Sequence, residues 1–373
     1  MTKAAVFTGA SDALEIWDID VAAPKAGEVK VRLAASGVCH SDLSILNGTI
    51  PMAPPMVLGH EGAGIVEEIG PGVTLVQPGD HVVISWVPQC GKCYCCDRGQ
   101  PELCEAGAGT MMSGGMLDGT KRFSRNSTEI GQMAASGTFT EYTVIPEISA
   151  VKIDNDLPLD KMCLIGCGVL TGAGAAINTA QVGPGDTVAV IGCGGVGLNT
   201  IQGARIAGAE RIIAVDMVAS KLKLAEQFGA TDTVNAANGD PVAAVQALTG
   251  TGPLGPRGVD YAFEVVGSSV TAEQAMSMTR RGGTMIMVGV GRVDDTLKDF
   301  SLFGELFMGA KTIKGSVYGS ANVHRDVLRF AGLYRQGKLL LDELISKTIK
   351  LEEVNQAFAD IQNGEVARSV ILY

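Results

Sequence analysis

The first part of the chain alternates short apolar runs with turn residues. The runs AAVF, EVKVRLAA, GAGIVEEIG and GDHVVISWV are separated by pairs such as Pro71-Gly72 and Pro78-Gly79, and a similar run, GTFTEYTVIP, follows at 137–146. Short apolar runs bounded by Pro and Gly are typical of β-strands joined by tight turns. This pattern therefore predicts a compact, mostly β unit.

The pattern changes from Gly168 onwards, where strand-like and helix-like segments alternate. TVAVIGCG, RIIAVD, DYAFEVVG and GGTMIMVGV are continuous apolar runs, whereas VGLNTIQGARIAGA and SKLKLAEQFGA have helical spacing. Continuous apolar strands that alternate with helices indicate a parallel sheet covered on both faces. The predicted fold class is α/β, with a doubly wound parallel sheet domain beside the mostly β domain, and with helices and a last strand near the end.

The segment at about 105–136 fits neither pattern. GAGTMMSGGMLDGTKRFSRNSTEIGQ shows little periodicity and holds many Gly, Ser and Thr residues. Long aperiodic segments inside a compact domain are usually functional loops. We expect a long surface loop here that acts as a lid or a subunit contact.

Length and composition restrict the kind of protein. The 373 residues are enough for two domains, and a hydrophobic fraction of 46% with a charged fraction of 18% indicates a globular chain. The net charge of −11 argues against a nucleic-acid partner, because no excess of basic residues exists to neutralise phosphates. No signal-peptide pattern and no run of about 20 apolar residues is visible, so we expect a cytoplasmic protein without a membrane partner.

A glycine-rich motif lies where the first apolar strand of the second pattern meets a helix. Gly192-x-Gly194-Gly195-x-Gly197 follows TVAVI directly. These glycines permit a tight turn and a close approach of the backbone to a pyrophosphate, which the helix N-terminus attracts. Asp216 ends the next strand, where an acid accepts hydrogen bonds from the adenosine ribose and repels a 2′-phosphate. The motif predicts NAD rather than NADP, and the alternative is a structural turn beside a solvated acid.

The nine cysteines are concentrated in one place, with five of them between residues 90 and 104. Cys90-x2-Cys93-x2-Cys96-x7-Cys104 offers four thiolates with the spacing of a closed, structural zinc site. Cys95 makes the register ambiguous, but Cys96 keeps the x2-x2 spacing. Free or disulfide-bonded cysteines and an iron–sulfur site are the alternatives.

Three further metal-ligand residues occur at strand–turn junctions and at the seam between the two patterns. Cys39 lies in GVCHSD, His60 in GHEGAG and Cys167 in CLIGCG. One histidine and two cysteines leave the fourth position of a tetrahedral zinc open, which is the pattern of a catalytic zinc. For each cysteine alone, a buried core position is the alternative.

Together these motifs resemble the zinc-containing medium-chain alcohol dehydrogenases. GVCHSD, GHEGAG, the four-cysteine lobe, CLIGCGVLTG, IGCGGVG, AVD and VARSVILY follow that family's order along essentially the whole chain. The resemblance implies a GroES-like catalytic domain at 1–168 and 318–373, with the zinc lobe at about 88–106, and a Rossmann NAD-binding domain at 169–317. LDGTKRF resembles the dimeric liver-type enzymes, and QMAASGTFTEYTVIPE resembles a bacterial subgroup in which some members retain their nicotinamide cofactor.

The resemblance also implies roles for individual residues. Cys39, His60 and Cys167 would bind a catalytic zinc, which lowers the pKa of a bound alcohol and so favours hydride transfer to NAD. At the metal, the resemblance implies that Asp42 orients His60, that Glu61 lies beside the zinc and that Ser41 hydrogen-bonds the substrate hydroxyl. At the cofactor, it implies that Thr171 and Val196 pack on the nicotinamide, that His40 and Arg368 contact the pyrophosphate, and that Lys221 flanks the adenosine ribose. For His40, Lys221 and Arg368 an ordinary surface position or ion pair is the alternative.

One position departs from the liver-type pattern. Ser44 stands where a histidine ends the proton relay of those enzymes, so we expect the relay to run from Ser41 through the cofactor ribose to Ser44 or water. The family alignment places Ile50, Trp86 and Met133 on the pocket wall, which favours a primary aromatic or medium-chain alcohol. A glutathione–formaldehyde adduct is disfavoured because LSILNGTIPMAPP holds no acidic residue.

Three functions stay open at this point. The first is an NAD-dependent zinc alcohol dehydrogenase, the second is a nicotinoprotein with permanently bound NAD and another electron acceptor, and the third is a non-catalytic dinucleotide-binding protein. The segments GGTMIMVGV and KDFSLFGELFMGAKTIKGSVYGS are apolar enough to pair across a homodimer, although a buried strand would look the same.

Overall fold

The structure is a computed structural model that describes residues 1–253, 255–298, 300–364 and 366–373. The chain divides into two compact units, the first formed by 1–168, 322–337 and 341–373 and the second by 169–321 and 338–340. Strands and helices are numbered in chain order. Among the described residues no single helix is long and apolar enough to cross a membrane, and only the bent pair 159–166 and 168–180 reaches that length and composition jointly.

The first unit is built around a small closed barrel and a larger sheet. The barrel has the strand order β1 (Thr2–Phe7), β2 (Glu15–Val21), β7 (Phe123–Arg125), β8 (Thr128–Gln132) and β4 (Met56–Val57). The sheet has the order β10 (Ala150–Ile153), β6 (His81–Ile84), β5 (Glu61–Ile69), β3 (Glu28–Val38), β20 (Arg368–Leu372) and β19 (Ile345–Ile349), and β9 (Tyr142–Pro146) also pairs with β3. The predicted mostly β unit is confirmed.

Six α-helices among the described residues complete the first unit. They are α1 (His40–Leu46), α2 (Tyr94–Asp97), α3 (Glu105–Met111), α4 (Leu159–Met162), α10 (Val323–Arg335) and α11 (Val354–Gln362). The apolar faces of α1 and α11 pack with barrel side chains in one buried core, which includes Leu43, Leu58 and Phe358. This core fixes α1, whose first residues follow the end of β3 directly.

The prediction of a long surface loop at 105–136 was wrong. The segment forms α3, β7 and β8, and β8 pairs with β4 inside the barrel. Phe123 and Ile130 are fully buried, and Asn126 and Ser127 form the hairpin turn with φ values of 50° and 64°. The buried Arg122 guanidinium also pairs with Glu28 of β3, with Nε donating at 2.7 Å. Strands this short alternate too few times to show in the sequence pattern.

The second unit contains the predicted parallel sheet. Its order is β13 (Asp232–Asn235), β12 (Arg211–Asp216), β11 (Thr187–Ile191), β16 (Val259–Glu264), β17 (Thr279–Met287) and β18 (Thr312–Gly315), and every neighbouring pair is parallel. The other elements are the strand pair β14 (Thr251–Gly252) and β15 (Gly255–Pro256) and the helices α5 (Gly168–Gly174), α6 (Gly195–Ala207), α7 (Ala219–Phe228), α8 (Pro241–Leu248) and α9 (Ser269–Met278). The order reverses between β11 and β16, which makes their carboxyl ends the switch point where doubly wound sheets bind ligands.

The second unit includes residues up to 321. The Thr179 hydroxyl hydrogen-bonds both the Ser316 and the Ser320 hydroxyls at 2.8 Å and so ties the end of this segment to the unit. Residues 338–340 also belong to the second unit. Gln202 of α6 holds them by accepting the Leu340 N–H at 2.9 Å and donating to the Leu340 carbonyl at 3.2 Å.

Candidate metal centres and dinucleotide site

A buried cluster in the first unit brings the three predicted catalytic ligands together. One ligand atom each from Cys39, His60, Glu61 and Cys167 lies within 4.8 Å of the others, and all four residues are buried. Cys39 is the N-cap residue of α1, His60 immediately precedes β5, and Cys167 follows a 3₁₀ turn. Strand ends and turns thus join side chains that are far apart in the sequence.

Asp42 fixes two of these ligands. Its Oδ1 accepts hydrogen bonds from His60 Nδ1 at 3.0 Å and from the Gly59 N–H at 3.1 Å, and its Oδ2 accepts the Cys39 N–H at 3.0 Å. With Nδ1 engaged, Nε2 is the imidazole nitrogen left for a metal. Burial lowers the pKa of His60, but Asp42 and Cys39 raise it more, and the resulting pKa is well above its usual value.

Glu61 and Arg368 form an ion pair at this cluster. Arg368 Nη2 lies 3.4 Å from Glu61 Oε1 and 3.9 Å from Cys39 Sγ, and the Gly168 N–H donates to Oε1 at 3.2 Å. Burial raises the pKa of Glu61 to about 7, although Arg368 opposes this shift. A Cβ at Gly37 would lie 2.2 Å from Glu61 Oε2, so a larger residue there would displace this carboxylate. Neither this close approach nor the Glu61–Arg368 pair was predicted from the sequence.

The donor set of the buried cluster fits zinc. Two cysteine sulfurs and one imidazole nitrogen are typical of catalytic zinc sites, in which the fourth position is left for substrate. A hydrogen bond from Cys167 lowers the pKa of Cys39 well below its usual value despite burial, which favours the thiolate that a metal requires. Glu61 Oε2 is buried without a hydrogen-bond partner among the described residues, so the residue keeps an unused acceptor beside these ligands.

A second cluster contains the four cysteines of the predicted structural site. Their sulfurs lie within 4.8 Å of one another in the set Cys90, Cys93, Cys96 and Cys104. The Cys93 and Cys104 sulfurs are 3.9 Å apart, close to the roughly 3.8 Å expected around a tetrahedral zinc with bonds of about 2.3 Å. Backbone N–H groups, first that of Cys96, lower the pKa of Cys93 to about 6. Cys95 is not part of this cluster, and four protein sulfurs leave no open position.

The glycine-rich motif forms the turn between β11 and α6 in the second unit. Gly192 has a φ of +96°, which strongly favours glycine, and a Cβ at Gly197 would lie 1.8 Å from the Gly192 carbonyl oxygen. The helix α6 begins at Gly195 after the N-cap Gly194 and has no side-chain cap. Its first N–H groups are therefore available to a phosphate.

Asp216 lies at the end of β12, beside the glycine-rich turn. Its Oδ2 accepts the Cys193 N–H at 2.8 Å, and its Oδ1 accepts the Val218 N–H at 2.9 Å. These two bonds hold the carboxylate in one orientation at the carboxyl edge of the sheet. Lys221 is half-buried in the first turn of α7, which follows directly.

The two predicted nicotinamide contacts lie on neighbouring helices. A Cβ at Gly172, next to Thr171, would meet the Val196 carbonyl oxygen at 2.2 Å. The backbone of α5 at Gly172 therefore lies close to the first turn of α6, which holds Val196. Gly172 is required for this approach, which the sequence analysis did not anticipate.

The predicted relay residues lie on α1. Ser44 Oγ is 3.4 Å from His40 Nδ1, and Ser41 Oγ is 3.8 Å from Cys39 Sγ. Ser44 is buried, whereas His40 is exposed. The structure pairs Ser44 with an imidazole one helical turn earlier, a pairing that the sequence analysis missed although the i, i+4 spacing shows it.

The three predicted pocket residues share one apolar cluster. Met133 is buried in it, and Ile50 and Trp86 pack against it. The Trp86 ring meets the His60 ring edge-on, with centroids 6.5 Å apart and planes at 87°. The apolar wall therefore begins at a residue of the buried metal-ligand cluster.

These features define a zinc-binding oxidoreductase, and comparisons with known proteins agree. The alcohol dehydrogenase GroES-like domain matches residues 25–155, and the zinc-binding dehydrogenase family matches residues 195–332. The NDMA-dependent alcohol dehydrogenase of Amycolatopsis methanolica is 42% identical over 372 residues, covering 100% of this chain and 99% of that protein. The S-(hydroxymethyl)glutathione dehydrogenase of Paracoccus denitrificans is 41% identical, with 100% of both chains covered.

A solved structure extends the similarity to the whole fold. The crystal structure of benzyl alcohol dehydrogenase from Acinetobacter calcoaceticus has a TM-score of 0.91 and 36% identity, covering 100% of this chain and 99% of that one. The chain belongs to the zinc-binding alcohol dehydrogenase family. The predicted fold class, a GroES-like domain with a Rossmann domain, and the predicted enzyme class, a zinc alcohol dehydrogenase, are confirmed.

Proposed function

We propose that this enzyme oxidises a primary alcohol to the aldehyde and transfers the hydride to NAD. The observation that carries the proposal is the buried set Cys39, His60 and Cys167, whose ligand atoms lie within 4.8 Å of one another. A zinc ion held there would act as a Lewis acid that lowers the pKa of the substrate hydroxyl. The four-cysteine cluster has no open position, so it would hold a structural zinc.

The surrounding residues of the first unit keep this site in order. Asp42 binds the Cys39 backbone and the His60 ring at once, so it holds two ligands through a single carboxylate. Ser41, at 3.8 Å from Cys39 Sγ, would accept the hydrogen bond of the substrate hydroxyl. Ser44 would then pass the proton outwards from its place beside His40.

The second unit would bind NAD. The expected domain bounds, 169–317 for the NAD-binding domain and 1–168 with 318–373 for the catalytic domain, stay a prediction. The glycine-rich turn and the uncapped start of α6 suit a pyrophosphate, with Asp216 and Lys221 on the adenosine side. Asp216 would repel a 2′-phosphate, which favours NAD over NADP. Arg368 is engaged with Glu61, so a pyrophosphate contact by Arg368 requires that ion pair to be shared or opened.

The apolar wall favours a primary aromatic or medium-chain alcohol. Ile50, Trp86 and Met133 offer no charged group to a substrate, and the solved relative named for benzyl alcohol is similar over the whole chain. A panel of benzyl alcohol, hexanol, ethanol and S-(hydroxymethyl)glutathione, each with NAD and with NADP, tests the proposal. We expect NADH formation with the first two alcohols and two zinc ions per chain. Fewer than two zinc ions, or no alcohol-dependent NADH, would contradict it.

The relative named as NDMA-dependent favours a second candidate function, a nicotinoprotein that keeps its NAD between turnovers. The purified enzyme would then develop reduced-nicotinamide absorbance when alcohol is added without NAD. An artificial electron acceptor such as NDMA would reoxidise the bound cofactor and remove this absorbance. If added NAD is required and cofactor exchanges freely on a desalting column, the nicotinoprotein function is excluded.

We also propose a cytoplasmic homodimer. The strand β18 lies at the edge of the second unit's sheet with all four residues exposed, and the π-helical turn Leu302–Met308 before it exposes Leu302, Phe303 and Phe307. An exposed edge strand beside such a patch is suited to pairing with a second copy. Light scattering should give the mass of two chains for the wild type and the mass of one chain for the double variant Phe303→Asp, Phe307→Asp. A monomeric wild type would refute the dimer.

A further inference from the structure

Glu264 is a buried carboxylate that the proposed reaction does not use. It is the last residue of β16 and is completely buried. Its Oε1 accepts three hydrogen bonds, from the Val266 N–H at 2.9 Å, the Gly267 N–H at 2.8 Å and the Thr271 hydroxyl at 2.7 Å. Its Oε2 has no partner among the described residues. A buried acceptor left unpaired is costly, so its position needs a reason.

The side chain lies at the switch point of the parallel sheet. Glu264 is in register with Ile191, which leads into the glycine-rich turn, and with Met287 on the other side. The turn that its Oε1 holds packs on that motif, since a Cβ at Gly192 would lie 2.8 Å from Val266 Cγ2. Glu264 therefore fixes a turn that touches the predicted pyrophosphate-binding loop.

The unpaired oxygen points towards the end of the next strand. A Cβ at Gly289 would lie 2.6 Å from Glu264 Oε2 and 2.2 Å from the Gly267 nitrogen. The N–H groups of Val288 and Gly289 both donate to the Glu264 carbonyl at 2.9 Å. Gly289 thus leaves room for the Glu264 carboxylate at the carboxyl edge of the sheet. Glu264 and Asp216 lie on opposite sides of the glycine-rich turn, because β16 and β12 are the two neighbours of β11.

We propose that Glu264 is a positioning residue of the dinucleotide site and that its charge favours the oxidised, cationic nicotinamide over the reduced, neutral one. The proposal rests on the proposed NAD function. An extended dinucleotide crosses the carboxyl edge at the switch point, and Asp216 occupies the adenosine side. The nicotinamide half would therefore lie over the ends of β16 and β17, where Glu264 adds a negative charge in a setting of low dielectric constant.

The test compares the affinities of NAD and NADH. Glu264→Gln keeps an acceptor oxygen and the shape but removes the charge. We expect it to weaken NAD binding relative to NADH by roughly fivefold to tenfold, as one unit charge roughly 12–17 Å from the nicotinamide gives at an effective dielectric constant near 20. The affinity for NADH is measured from the fluorescence of bound NADH, and the affinity for NAD from its displacement of bound NADH. If the enzyme retains its cofactor, the fraction of bound NADH is measured instead at fixed alcohol-to-aldehyde ratios.

Two further variants separate charge from structure. Glu264→Asp keeps the charge, so the NAD-to-NADH affinity ratio should stay within about twofold of wild type even if both affinities fall. Asp260→Asn removes a charge from the opposite end of the same strand, where Asp260 binds Thr187 and Arg280, and should leave the ratio unchanged.

An equal change in the NAD and NADH affinities of Glu264→Gln would overturn the proposal, and so would a changed affinity ratio in Glu264→Asp. If the Gln variant does not fold, Glu264→Asn removes the same charge, and an unchanged affinity ratio in it would overturn the proposal. Failure of the wild-type enzyme to bind either nucleotide would instead refute the proposed function.

Discussion

Replacing Asp42 by Asn should loosen the predicted catalytic metal site without changing its ligands. The Asp42 carboxylate accepts three hydrogen bonds with two oxygens, whereas an amide keeps only one acceptor. If the amide oxygen stays on His60 and Gly59, an N–H₂ group faces the Cys39 N–H, and that buried donor is left unpaired. A hydrogen bond to a charged group contributes about 1.5–3 kcal/mol. The loss therefore corresponds to roughly 10- to 100-fold in metal affinity, the usual range for such supporting carboxylates.

The assay is zinc release to a chromogenic chelator, followed alongside alcohol-dependent NADH formation. Asp42→Asn should release one zinc per chain at a chelator concentration that leaves both bound in the wild type, and kcat/KM should fall in parallel. Asp326→Asn is the matched control, because Asp326 is equally buried but caps α10 away from the ligands; its zinc content should be normal even if its melting midpoint falls. Wild-type zinc retention in Asp42→Asn would refute the claim that this carboxylate positions two ligands.

Three other predictions concern separate sites. Cys104→Ser should lose the structural zinc and lower the melting midpoint by roughly 5–10 °C in a thermal scan, with Cys95→Ser as the unaffected control. Equal melting midpoints for the two variants would contradict the four-cysteine zinc site. Asp216→Ala should raise kcat/KM with NADP at least about tenfold relative to NAD, and an unchanged preference would show that another group rejects the 2′-phosphate. Ser44→Ala should lower kcat about tenfold or more, whereas Ser44→His should restore kcat and change the pH–rate profile; an unchanged profile in both would exclude Ser44 from proton release.

Much of the fold is visible in the sequence because each signal is local. The strands and helices of the second unit follow from continuous apolar runs and helical spacing, and the turn at Gly192 follows from its motif. The zinc clusters are also local in part, since Cys90 to Cys104 span one short lobe. The family resemblance supplied what locality could not, namely that Cys39, His60 and Cys167 belong together.

The features that the sequence did not reveal depend on contacts between distant residues. The barrel strands β7 and β8 are too short for a periodic signal, and their burial depends on pairing with β4. Arg122 carries no sign in the sequence that it will be buried against Glu28. Glu264 likewise reads as an ordinary strand-end acid until the turns that enclose its carboxylate are in place.

The nested order of the two units has a consequence for biosynthesis. The second unit is complete in sequence once residue 340 has been synthesised, so it can fold while later residues are still being translated. The first unit begins earlier but finishes last, because its central strand β3 pairs with β20, at residues 368–372. Until then Cys39 and its partners lack Arg368 beside them. The nascent chain therefore carries its metal-binding cysteines before Arg368 is in place, and the surroundings of the catalytic centre are completed only after the second unit has been synthesised.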